Sequence, residues 1–163
     1  VYRKSRVKLC LPSLIVGSII PDVEFIVGFI VSGYGGRLVL HSIVGAATIG
    51  TLLSVPMTIY LYPILTKWVF RVDVDMSKYS LKLLSVSAFI GAMLHIFVDA
   101  FHHEYNPLLY PFTNASIDVL VIFGDWRTAS FLVESFFGVL FVAVLVATYM
   151  LHRDSFWRRL LSE

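Results

Sequence analysis

Residues 129–150 read ASFLVESFFGVLFVAVLVATYM, and Glu134 is the only charged side chain among them. A stretch of this length and composition is sufficient for one helical crossing of a bilayer. The rest of the chain has the same character, with a mean hydropathy of +0.81 and 58% hydrophobic against 15% charged residues over 163 positions. This composition excludes an ordinary soluble domain and predicts an integral membrane protein.

Three further apolar segments precede residues 129–150, so the predicted fold class is all-α. We expect an integral membrane helical bundle that forms a single membrane domain over residues 1–163, with about four segments near residues 9–31, 38–65, 81–101 and 129–150. Pro21 interrupts the first segment after about 18 Å of helix, which is short of a full crossing of roughly 30 Å. Either that helix begins before Leu9, or residues 25–31 continue it as a broken or re-entrant piece. Pro56 predicts a kink in the second segment.

The basic side chains predict the orientation of the bundle. They form three clusters, before the first segment, between the second and third, and after the fourth: Arg3, Lys4, Arg6 and Lys8; Lys67, Arg71, Lys78 and Lys82; Arg153, Arg158 and Arg159. With four crossings, all three clusters lie on one side, which the positive-inside rule assigns to the cytoplasm. We therefore expect a cell-membrane protein with both termini cytoplasmic, and residues 21–37 and 102–127 on the outer side.

Ligand-type side chains converge on the predicted outer face. His95, Asp99, His102 and His103 share one stripe of a helix, because positions three and four apart face the same way. Each of the other segments brings acidic or histidine residues to a similar depth: Asp22, Glu24, His41 and Glu134. Ionisable groups in an apolar segment are costly and usually functional. Imidazole and carboxylate ligands suit a divalent metal, with zinc ahead of iron or manganese.

These ligand-type residues and the outward cations have three predicted roles: metal ligand, general base and substrate binding. The predicted metal ligands are Asp22, His41, His95, Asp99 and His103. His102 and His103 are neighbours and cannot point the same way on a helix, so at most one of them is expected to bind. The spare carboxylates Glu24 and Glu134 are candidates for general base, and Glu24 is favoured because it shares the turn of Pro21. Arg37 and Arg127 are the outward cations and suit an anionic substrate.

Each of these residues also has a purely structural interpretation. His95 and Asp99 could form a hydrogen-bonded pair, Asp22 could cap the helix after Pro21, and Glu134 could be a solvated acid at a helix start. The alternative function is therefore a non-catalytic membrane subunit or anchor of a larger assembly, in which the polar cluster holds helices together. Such a cluster would need no ion.

Four motifs resemble one family. GSIIPDVE (17–24), GRLVLHS (36–42), GAMLHIFVD (91–99) and PLLYPF (107–112) match, in order and spacing, the prokaryotic membrane-bound metal-dependent hydrolases, namely the LexA-binding inner-membrane group and its archaeal relatives. The resemblance implies a helical membrane protein with a metal site built from these motifs. Gly36 and Leu40 stand where the family often has a further polar residue or histidine, and residues 1–14 lack its N-terminal histidine. That ligand could lie upstream, or this protein could bind its metal with fewer ligands, or bind none.

Taken together, the residues and the resemblance predict a metal-dependent membrane hydrolase with a divalent metal cofactor, zinc by ligand type. Its site would lie at the extracytoplasmic membrane face and act on a lipid phosphate or phosphodiester. Membrane lipid and protein partners in the membrane are expected, and nucleic acid is not, because the basic ends already have an orientation role. A transporter is disfavoured because the ionisable residues collect at one face.

Overall fold

The computed structural model describes residues 9–33, 35–117 and 120–162, so the basic stretch Arg3 to Lys8 lies outside the described residues. Within these ranges the chain forms helices and no strand. The helices are α1 (Leu11–Ser32), α2 (Ile43–Phe70), α3 (Leu81–Asp99), α4 (Trp126–Leu151) and α5 (Phe156–Ser162). The first four are long and apolar enough to cross a membrane, which confirms the predicted all-α membrane class.

The pair α1 and α3 forms the centre of the bundle, and the two helices run parallel in close contact. The Ser13 hydroxyl donates to the Leu84 carbonyl over 2.7 Å, and small residues line the seam above it. A β-carbon on Gly17 would overlap the Ala88 carbonyl, and one on Gly91 would overlap the Leu14 carbonyl. Small residues of this kind let membrane helices approach closely. The same register brings the middle of α1 to the end of α3.

The predicted break in the first segment is wrong, because α1 continues through Pro21 for 22 residues, or about 33 Å. A helical proline loses one backbone hydrogen bond, and its ring crowds the carbonyl four residues earlier. Here Pro21 is fully buried in the bundle. Packing against neighbouring helices makes a proline tolerable in a membrane helix. A single helix therefore carries Asp22 and Glu24.

Helix α2 begins at Ile43, later than the predicted start at residue 38. Ser42 caps it, since its hydroxyl accepts from the Gly45 N–H over 3.0 Å. One π-helical turn follows directly after Pro56, at the predicted kink. The Ser54 hydroxyl donates to the Gly50 carbonyl and helps to satisfy the disturbed backbone. His41 consequently lies in the loop before α2 and not in the first helical turn, as the sequence suggested.

The two ends of the bundle differ in chemistry. Helix α5 packs beneath α1 and accepts, at the Leu161 carbonyl, a 2.8 Å hydrogen bond from the Tyr62 hydroxyl. Arg71 and Arg153 line one cavity at this end, and Lys78 and Arg159 line another. The described basic residues of the second and third clusters therefore share one end of the bundle. The histidines of α3 lie at the other end.

Candidate metal centre

Three separate elements bring acidic and histidine side chains together at the end of α3. His95 Nε2 lies 3.6 Å from Asp22 Oδ1 of α1 and 3.2 Å from Asp99 Oδ2 of its own helix. His41 Nε2, from the loop before α2, lies 3.7 Å from the same Asp99 oxygen. Single ligand atoms of Asp22, His41 and His95 all fall within 4.8 Å of one another. Four of the five residues predicted as ligands thus converge on one point.

Several buried polar atoms of this cluster have no hydrogen-bond partner. Among the described residues these atoms are His41 Nε2, His95 Nε2, Asp99 Oδ2 and Arg37 Nη1. Three of these atoms lie 3.1 to 3.7 Å from the fourth, Asp99 Oδ2, in charge pairs that form no hydrogen bond, and buried groups left in this state require an explanation. Imidazole nitrogens and carboxylate oxygens are the donors that zinc and similar divalent cations take up. The donor set fits a divalent cation placed among these atoms.

Glu24 holds the loop that carries His41. Its carboxylate accepts three backbone N–H groups, those of Leu38 and Leu40 over 3.0 Å each and that of Val39 over 2.7 Å. The same carboxylate lies 3.2 Å from His41 Nδ1. A carboxylate only accepts, so Nδ1 carries the proton and the Nε2 lone pair faces Asp99. Sequence reasoning found Glu24 but assigned it to proton transfer and not to this holding contact.

Arg37 reaches the cluster from the loop between α1 and α2. Its Nη1 lies 3.1 Å from Asp99 Oδ2, and its Nη2 donates to His103 Nε2 over 2.9 Å. Burial, together with the adjacent guanidinium, lowers the pKa of His103 to about 4. His103 is therefore neutral at neutral pH and its Nε2 can accept this bond. A cation and a buried acid thus share one end of the bundle with the histidines.

The remaining predicted site residues lie apart from these contacts. Arg127 stacks on the Trp126 ring, 5.4 Å from its centroid, at the exposed start of α4. Glu134 is exposed about two turns further along α4. Within the described chain, none of the ion pairs of the cluster involves either residue. The roles predicted for Arg127 and Glu134 stay predictions.

Both His102 and His103 lie beside Asp99, although the sequence suggested that only one could. Helix α3 ends at Asp99, and the N–H groups of His102 and His103 both donate to the Asp99 carbonyl, over 3.0 and 2.9 Å. The chain turns there, so the roughly 100° separation of neighbours on a continuing helix does not apply. The Nε2 atoms of His102 and His103 lie 4.0 and 3.6 Å from Asp99 Oδ1. The sequence does not show that α3 ends at Asp99, so it could not predict that both imidazoles lie beside this carboxylate.

Together, the fold and the cluster define a helical membrane protein with a polar centre at one end of its bundle, and the donor atoms of this centre suit a metal ion. Residues 2–157 match the family model described as YdjM inner membrane protein, and the chain belongs to that family. No curated protein matches the chain, and no solved structure does. The family places the protein in the inner membrane, which confirms the membrane location expected from the sequence.

Proposed function

We propose that this inner-membrane protein is a metal-dependent hydrolase whose centre is held by Asp22, His41, His95 and Asp99. The observation that supports this function best is that Arg37 Nη1, His95 Nε2 and His41 Nε2 surround Asp99 Oδ2 at 3.1 to 3.7 Å, while none of these four buried atoms makes a hydrogen bond. A bound divalent metal, zinc by ligand type, would supply a water nucleophile at neutral pH. The resemblance to membrane-bound hydrolases of the LexA-binding group points to the same reaction class.

The alternative role, a structural cluster between helices, fits the contacts less well. Buried polar groups that serve only to join helices satisfy one another, because an unpaired group in a low-dielectric interior is costly. Glu24 meets that expectation through its four contacts, whereas His41 Nε2 and His95 Nε2 approach Asp99 Oδ2 only at 3.7 and 3.2 Å and make no hydrogen bond. The unpaired atoms therefore favour a ligand over a purely structural role.

The surroundings of the centre favour an anionic substrate from the membrane. Arg37 is the cation in direct contact with the cluster, and it lines a cavity of about 250 Å³ together with Phe25 and Tyr105. The Asp22 side chain is 51% exposed and leaves the centre open on one side. A guanidinium beside an apolar cavity suits a phosphate carried on a lipid. We propose a lipid phosphate or phosphodiester as the substrate class.

Glu24 acts in this proposal as a positioning residue, because its oxygens already accept four hydrogen bonds. The centre would face the outer side of the membrane, since the basic end of the bundle is expected in the cytoplasm. The catalytic roles predicted for Glu24 and Glu134 stay predictions, and the turnover of Glu24→Gln and Glu134→Gln would test them.

The first test is elemental analysis of the protein purified in mild detergent without chelator. Bound divalent metal is expected in the wild type, and His95→Ala should lose most of it while keeping its helical circular dichroism. Removing one ligand weakens a metal site far more than it disturbs apolar packing. His152→Ala is the matched control, because His152 lies at the other end of α4 and should retain full occupancy. Full occupancy in His95→Ala would contradict the ligand assignment.

The second test is turnover by the metal-loaded protein on lipid phosphates and phosphodiesters in mixed micelles. Hydrolysis that disappears in His95→Ala and survives in His152→Ala supports the proposed function. Bound metal without hydrolysis of either class would argue against the substrate class. Absence of both metal and hydrolysis would favour the non-catalytic subunit.

A further inference from the structure

The two oxygens of Asp99 face two different groups of side chains. Oδ2 points to His41 and His95, at 3.7 and 3.2 Å from their Nε2 atoms. Oδ1 lies near the Nε2 atoms of His102 and His103 instead, at 4.0 and 3.6 Å. Single ligand atoms of Asp99, His102 and His103 lie within 4.8 Å of one another. The carboxylate therefore joins two separate sets of metal-type donors.

The His102 ring is fixed in the orientation of a ligand. Its Nδ1 lies 2.9 Å from the Val98 carbonyl, which can only accept, so Nδ1 carries the proton. Nε2 is then the ring nitrogen left to bind a metal, and it faces Asp99. A ligand histidine that donates its other N–H to a backbone carbonyl is the usual arrangement in metal sites. The Ser130 hydroxyl donates to the His102 carbonyl over 2.7 Å and holds this turn against α4, and His102 is 6% exposed.

The guanidinium of Arg37 brings a positive charge to the second set. Its Nη2 donates to His103 Nε2, whereas its Nη1 pairs with Asp99 Oδ2, the oxygen that faces His41 and His95. His102 Nε2 has no such contact with Arg37. A second cation would displace one guanidinium bond, from His103, and would leave the contact between Arg37 and a substrate anion available.

We propose that the centre binds two divalent cations bridged by Asp99, the second of them held by Asp99 Oδ1, His102 and His103. This inference rests on the proposed function and deepens it. Two ions bridged by one carboxylate lie about 3.5–4 Å apart in enzymes that cleave phosphate esters, where they flank the attacking and the leaving oxygens. A paired centre therefore fits the phosphate-ester substrate class proposed above.

The test measures metal stoichiometry and metal–metal coupling in the full chain in detergent. Protein dialysed against Zn²⁺ and then freed of excess should hold two ions per chain, and His102→Ala should hold one. His152→Ala, at the other end of α4, should hold two. One ion per chain in the wild type would overturn the second position and leave the proposed function standing. No ion in the wild type would overturn both.

Mn²⁺ loading tests the paired centre in the wild type itself, so this measurement does not depend on a variant that folds. Two bridged Mn²⁺ ions give an exchange-coupled electron paramagnetic resonance spectrum, whereas ions bound far apart give the hyperfine pattern of isolated Mn²⁺. We expect the coupled spectrum in the wild type and the isolated pattern in His102→Ala or, if that variant fails to fold, in His102→Gln. An uncoupled wild-type spectrum at two ions per chain would identify the second ion as a surface ion and overturn the proposal.

Arg37 gives a third measurement. Arg37→Gln removes a positive charge next to the second position and releases His103 Nε2, so the second Zn²⁺ should bind at least about tenfold more tightly. Weaker binding of the second ion in this variant would contradict its assignment beside His103.

Discussion

At the scale of single residues, the contacts of Glu24 determine how His41 is presented. Glu24→Gln replaces one accepting oxygen by an amide NH2 that donates, so it must lose either the Val39 N–H at one oxygen or the Leu38 and Leu40 N–H groups and His41 Nδ1 at the other. We expect the affinity for the first Zn²⁺ to fall about 10–100-fold, the usual effect of losing a group that orients a ligand. Competition with a chromophoric chelator measures this affinity.

The same variant distinguishes positioning from proton transfer. A general base would leave Zn²⁺ affinity unchanged and lower only the turnover, by about 10²-fold or more. Glu134→Gln is the matched control, since Glu134 is exposed on α4 and should not alter metal affinity. Unchanged affinity in Glu24→Gln would return Glu24 to the catalytic role that the sequence first suggested.

Sequence could identify most of the candidate site but not the roles within it. Asp22, His41, His95 and Asp99 are conspicuous because charged and imidazole groups are rare in apolar segments. The holding role of Glu24 depends on three backbone N–H groups in the loop before α2, and no side-chain pattern encodes that loop. Arg37 and Arg127 were equivalent in sequence, and only the fold brings Arg37 to Asp99.

At the scale of helices, the closeness of α1 and α3 sets the distance between Asp22 and His95. Gly91 lies one turn before His95, and a β-carbon there would overlap the backbone of Leu14 and crowd the Ser18 N–H. Gly91→Ala must push the helices apart, because backbone atoms cannot yield as a flexible side chain can. We expect a loss of about 1–3 kcal/mol in unfolding free energy and weaker metal binding. Thermal unfolding in detergent, with and without Zn²⁺, measures both effects.

Gly138→Ala is the control for this prediction. Gly138 is also helical, but nothing lies within 4 Å of the position its β-carbon would take. Alanine has the higher helix propensity, so this variant should be no less stable than the wild type. Equal unfolding temperatures for the two variants would show that α1 and α3 are not held together by this close seam.

Helix boundaries were the less predictable part of the fold. Four crossings follow from apolar length alone, and Pro56 does mark a change in helix geometry. Pro21 gave a wrong break because the sequence does not show that this proline is buried in the bundle, where packing keeps the helix intact. The late start of α2 reflects Ser42, whose hydroxyl caps Gly45 and leaves residues 38–41 free to line the site.

At the scale of the whole molecule, α4 is attached to the bundle mainly at its two ends. No residue is buried in the most apolar 18-residue stretch of α4, whereas Ser130 contacts the His102 turn at one end of the helix. At the other end α5 follows α4, and its Leu161 accepts from Tyr62. The exposed apolar faces between these contacts would lie against membrane lipid, which accounts for the hydropathy of a chain with a small packed core.

The orientation of the whole molecule gives the last prediction. The described residues of the second and third basic clusters lie at one end of the bundle, and the candidate centre lies at the other, so the positive-inside rule expects the centre on the extracytoplasmic side. In a Cys10→Ser background, a cysteine at the exposed Ala115 should react with a membrane-impermeant thiol reagent in intact cells. A cysteine at Ser77, in the exposed link between α2 and α3, should react only after the membrane is permeabilised. The opposite labelling pattern would place the centre in the cytoplasm and would require a substrate from the inner leaflet.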